Sequence, residues 1–158
     1  MPPYDAHRMR SLPKGSLGRT YINFRVLQTH DLHHILTGFS LDNFGEFGVV
    51  SLSVSQYNFP AFAFLNLAAM LMTWMQHAVP VDADTPAAER AMSPRGLFEV
   101  VSQGLAMGED AQPLFPVPWE PLLERDLEDL RRELGIQRVL SGIRSWASNP
   151  AVIKVLAA

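Results

Sequence analysis

His30-Asp31-Leu32-His33-His34 lies inside an apolar-periodic run from Tyr21 to Phe39, and reading that run as helix decides the fold. On a helix, His30 and His34 stand one turn apart on one face. Asp31 is three residues before His34 and flanks that face. Glu46 follows a short turn containing Gly, Ser, Asp and Asn, and can close the set from a second helix. Two imidazoles and two carboxylates suit a divalent metal. Part of this face must pack, because long uncharged stretches follow it. Burying an ionised Asp31 without a partner is costly, and a cation relieves that cost for the whole group.

Two residues of the set have competing readings. Glu46 is three residues after Asn43, so it also fits a capping box for its own helix. His33 is three residues after His30 and stays open as an outer-sphere or substrate-facing group. The donor mix suits four-coordinate Zn2+. It also suits Fe2+ in a two-His-one-carboxylate site with open positions, and Mg2+ less naturally. Metal-free core histidines on a plain helical domain are the bland alternative.

The rest of the chain reads as helices around this pair. Residues 1–15 hold three prolines without periodicity and read as a loose arm. A first helix is expected from about Leu17 to Gly38 and a second from Asn43 to Tyr57. Pro60 to Met75 is apolar nearly all round and reads as a central buried helix. It is short and unflanked by Lys or Arg, unlike a membrane span. It is also a candidate lining for a greasy tunnel. Val79 to Pro94 reads as a linker. Further helices are expected over Arg95–Met107 and Trp119–Leu134, the second with a Leu123, Leu127, Leu130, Leu134 stripe and a Glu128–Arg132 pair. Gln137 to Trp146 reads as one more short helix.

Composition narrows the classes. A chain of 158 residues is one domain. Its net charge of −3 argues against nucleic-acid binding. It has no cysteine, which excludes disulfides, thiolate metal sites and cysteine nucleophiles. No secretory signal is visible. No charged side chain occurs from Phe47 to Val81, and the charges after Arg90 read as solvated helix surface. Arg19 and Arg25 read as surface charge, or as holders of an anionic head group. No phosphate-binding Gly-rich loop, nucleophile elbow or dinucleotide fingerprint is present.

His30-Asp31-x-x-His34, eleven residues, then Glu46 resembles the signature of the coenzyme Q (ubiquinone) biosynthesis protein 4 family. The frame agrees: Leu17-Gly18-Arg19 before it, Leu36-Thr37-Gly38 and Gly45-Glu46 within it, and Leu134-Gly135-Ile136 near its close. Ten residues separate Arg19 from His30, fewer than is usual in the family. The resemblance covers roughly residues 12–136 and implies an all-α, single-domain bundle of five to seven helices with an apolar, lipid-accommodating interior. Residues 16–136 would be the family domain and 137–158 a C-terminal extension.

The resemblance further implies a ubiquinone biosynthesis protein that binds prenylated ring intermediates. His30, Asp31, His34 and Glu46 would hold the metal, most naturally Zn2+. The site would carry oxidative decarboxylation of a prenylated 4-hydroxybenzoate-derived ring, with the metal ligands as the best catalytic candidates. Arg19, Arg25 and His33 would face substrate. The alternative is a non-catalytic lipid-binding scaffold with a structural metal. Expected partners are isoprenoid lipids, other ubiquinone-synthesis proteins, a membrane surface and a second copy in a homodimer. The expected location is peripheral, on the cytoplasmic side of the bacterial inner membrane or the matrix side of the mitochondrial one.

Overall fold

The computed structural model describes residues 11–57, 60–76, 84, 93–140 and 145–146, apart from the side chains of residues 18, 19 and 21–27. Five α-helices are present among the described residues: α1 (Leu17–Thr37), α2 (Asn43–Tyr57), α3 (Pro60–Gln76), α4 (Pro94–Asp110) and α5 (Leu127–Leu134). A 3-10 turn covers Glu120–Leu122. The all-α expectation holds, and α1 and α2 fall where their spacing put them.

The α1–α2 corner is fixed from several sides. Gly38 ends α1 with φ +79°, which glycine adopts without strain. Its N–H donates to the His34 carbonyl at 3.0 Å. Asp42 then caps α2, its Oδ1 accepting from the Phe44 and Gly45 N–H groups at 3.0 and 3.1 Å. The last carbonyls of α1 are taken by Arg131 of α5. Its side chain is 2% exposed. Its Nε–H donates to the Leu36 carbonyl at 2.8 Å and its Nη2 to that of Ile35. A guanidinium at a helix C-terminus meets the negative end of the dipole. Arg131 is therefore not the solvated charge that its surroundings in sequence suggest.

Helices α2 and α4 form the centre of the core. They approach closely because Gly48 and Gly104 face each other. A Cβ at Gly104 would lie 2.2 Å from the Gly48 carbonyl oxygen. Gly104→Ala gains helix propensity but forces these backbones apart. The expected net loss is about 1–2 kcal/mol, read as a melting temperature lower than wild type by several degrees. An unchanged or raised melting temperature would refute the close approach.

Four expectations need correction. α3 is not central: only Asn66 and Met70 are buried, and Phe64 is 73% exposed. The reason is that α2 and α4 satisfy each other, so α3 lies against α2 along one stripe. No described helix is long and apolar enough to cross a membrane. The helix expected over Trp119–Leu134 is two pieces. Asp126 caps α5, accepting from the Glu128 and Asp129 N–H groups, and Leu123 is 70% exposed. Glu128 pairs with Arg131, and Arg132 with Asp129. Residues 137–140 are not helical. They brace the α1–α2 corner, the Val139 N–H donating to the Thr37 carbonyl at 2.8 Å. Most of the expected linker, Val79 to Pro94, and most of the C-terminal extension lie outside the described residues.

Candidate metal centre

The α1–α2 corner brings three side chains to one point. His30 Nε2 lies 2.9 Å from Glu46 Oε2. His34 Nε2 lies 3.2 Å from Glu46 Oε1 and 3.2 Å from His30 Nε2. One ligand atom from each of the three falls within 4.8 Å of the others. The capping reading of Glu46 gives way, because Asp42 takes the cap and frees the Glu46 carboxylate.

Tautomers expose a missing positive charge. His34 Nδ1 is 3.2 Å from the Phe39 carbonyl, which can only accept, so Nδ1–H donates there. In a neutral His34, Nε2 is then a lone pair aimed at a carboxylate oxygen and at a second imidazole nitrogen. His30 Nε2–H can donate to only one of these acceptors. A proton or a metal ion must supply the rest. The spacing fits a metal. The two Nε2 atoms are 3.2 Å apart, close to the roughly 3.3 Å between two nitrogens on tetrahedral Zn2+, and they lie 2.9 and 3.2 Å from different oxygens of the Glu46 carboxylate.

Burial is graded across the set. The side chain of His34 is 1% exposed, that of His30 28% and that of Glu46 45%. The arrangement is closed on the core side and open beside Glu46. Three ligands with an open side is how catalytic zinc sites and two-His-one-carboxylate iron sites are built.

The other sequence candidates lie elsewhere. Asp31 is exposed and is not in the group of three. His33 is 1% exposed, packs edge-on to Trp119 with centroids 6.2 Å apart, and neither ring nitrogen has a partner among the described residues. Burial, then the nearby His30 and His34, lower its pKa from 6.5 to about 3. The side chains of Arg19 and Arg25 lie outside the described residues. Leu32 and Leu36, on the opposite side of α1 from the imidazoles, line an apolar recess of 260 Å³ with Trp119 and Leu130. Residues missed from the sequence are the Phe39 carbonyl, the Asp42 cap and Arg131. Only Asp42 left a signal, as a cap-type residue three before Gly45.

Comparison with known proteins follows the same lines. The profile described as "Coenzyme Q (ubiquinone) biosynthesis protein Coq4" matches residues 19–139. The mitochondrial ubiquinone biosynthesis protein COQ4 of Eremothecium gossypii is 33% identical over 74% of this chain and 32% of its own length. That of Aspergillus fumigatus is 32% identical over 82% of this chain and 50% of its own. That of Zygosaccharomyces rouxii is 26% identical over 84% of this chain and 44% of its own. This chain thus spans about half or less of these relatives. A Nostoc punctiforme crystal structure with a provisional ubiquinone-biosynthesis name shares the fold, with a TM-score of 0.58 and 22% identity over 84% of this chain and 68% of that one. The family profile spans the imidazole pair, Glu46 and the bracing helix α5 together, so this chain belongs to the coenzyme Q (ubiquinone) biosynthesis protein Coq4 family.

Proposed function

We propose that the chain acts in ubiquinone biosynthesis and binds a prenylated ring intermediate beside a divalent metal held by His30, His34 and Glu46. Asp31, exposed next to His30, is the further carboxylate that would complete the set. Zn2+ and Fe2+ both fit the donor set. The observation that carries this reading is the convergence of two Nε2 atoms on a carboxylate with one side left open.

The reaction proposed is oxidative decarboxylation of a prenylated 4-hydroxybenzoate-derived ring. The ring–carboxylate bond breaks, CO2 leaves, and a C–O bond forms at the same carbon. This is a two-electron oxidation: water supplies the new ring oxygen, and dioxygen takes the two electrons and two protons and leaves as hydrogen peroxide. When bound, the metal supplies Lewis-acid stabilisation of negative charge on the ring oxygens. The chain's residues hold the ligands in place: the Phe39 carbonyl fixes the His34 tautomer, and the core side excludes water. Arg19 and Arg25 supply positive charge for the anionic head group, His33 contributes from the core side of α1, and the isoprenoid tail lies along apolar helix surface. The protein works at the surface of the membrane that holds these lipids, with other ubiquinone-synthesis proteins.

The test is turnover. Metal-loaded protein with a prenylated 4-hydroxybenzoate in air is expected to release CO2 and form the hydroxylated ring, and to stop without oxygen. Tight binding of the substrate with no CO2 in any metal form would replace this reading with the lipid-binding scaffold.

A further inference from the structure

Helix α3 carries a second stripe that nothing in the described fold covers. Ala61, Phe64, Ala68, Leu71 and Met75 follow one another at intervals of three, four, three and four residues. That is the spacing of a helix-pair seam. It runs on the side of α3 away from Asn66 and Met70, the two residues buried on this helix. Phe64, Leu71 and Met75 are 73, 49 and 68% exposed.

Area and charge point to one occupant. Seven large apolar side chains of α3 are 44–73% exposed, and at about 200 Å² for a fully exposed side chain they present roughly 800 Å². The largest apolar patch of a typical monomer is about 300–600 Å², and one partner of a standard interface contributes about 800 Å². A helix that rests on a lipid surface carries Lys or Arg along a polar face. Here no Lys or Arg occurs from residue 26 to residue 89. An uncharged face rich in Phe, Met and Trp is the composition of a protein interface core.

We propose that this face packs on the same face of a second copy of the chain, in a two-fold pair whose axis passes beside Ala68. Ala68 is the midpoint of the stripe, seven residues from Ala61 and seven from Met75. In a two-fold interface a residue meets its own counterpart only at the axis. A small side chain there lets the two helices approach closely. The sequence expectation of a homodimer thus acquires a location, on α3.

The chain has no cysteine, so one introduced thiol reports one contact. A disulfide needs Cα atoms within about 7 Å. Under mild oxidation, Ala68→Cys is expected to convert to covalent dimer almost completely. Ser102→Cys, exposed on α4, stays monomeric under the same conditions. Light scattering is expected to give twice the chain mass for wild type and the single-chain mass for Phe64→Glu/Leu71→Glu, with helical circular dichroism and melting temperature retained. Wild type at single-chain mass at 50 µM (about the concentration of a routine scattering run, where a Kd near 1 µM leaves mostly dimer) would overturn the proposal. So would a dimer that Ala68→Cys fails to cross-link. Monomeric wild type that floats with phosphatidylcholine vesicles would assign the face to lipid instead.

Discussion

His34→Ala is expected to abolish stoichiometric metal binding while leaving a folded helical protein. His34 is the innermost of the three ligands and is oriented from behind by the Phe39 carbonyl. Removing it leaves His30 and Glu46, a pair that both face solvent in part. Loss of one ligand from a three-ligand site, together with its orienting hydrogen bond, should weaken binding at least 100-fold, since disrupting the orienting partner alone costs 10–100-fold. Elemental analysis should fall from near one metal per chain to background. A chelator should lower the melting temperature of wild type and leave the variant unmoved. Metal present at 1,000 times its Kd stabilises the folded state by about 4 kcal/mol, a shift of roughly 8–16 °C for a chain of this size. Glu46→Gln keeps the shape of the side chain and loses its charge, so it should weaken binding with a smaller structural effect. Full metal occupancy in His34→Ala would sink the site. So would a wild-type melting temperature indifferent to chelation.

The helices and the imidazole pair were legible because local rules produce them. The i, i+4 spacing of His30 and His34 sets their shared face once α1 is a helix. The approach of Glu46 is a different matter. It depends on the angle between α1 and α2, and Gly38, the Asp42 cap and Arg131 set that angle. Arg131 is 95 residues from the carbonyl of Leu36 that it binds, and a carbonyl has no signature in sequence. The α3 expectation failed for a related reason. An apolar segment must be covered, but composition does not say by what, and here α2 covers only one stripe of it. The long helix from Trp119 failed because the leucine spacing spoke for continuity while Pro121 and Asp126 spoke for a break. The cap at Asp126 prevailed.

Acidification from pH 7 to pH 5 is expected to destabilise wild type by about 2 kcal/mol through His33 alone. The sign follows from its two states. In the unfolded chain His33 takes up a proton near pH 6.5, whereas in the folded protein burial holds it neutral down to about pH 3. Between these values the unfolded state binds more protons, so stability falls as pH falls. Below about pH 3 the loss levels off at roughly 5 kcal/mol. The window from pH 7 to pH 5 lies above most carboxylate titrations, which keeps the assignment clean. His33→Met fills similar space without a titrating group. It also removes two buried nitrogens that have no partner, which otherwise cost about 1–3 kcal/mol. The variant should therefore be at least as stable as wild type at pH 7 and lose about 2 kcal/mol less on the way to pH 5, seen as a melting temperature that falls roughly 4–8 °C less. The comparison is made with chelator present in both proteins, so that any contribution from the metal site, which the two share, cancels. An acid limb identical in the two proteins would mean that His33 finds a partner in solution.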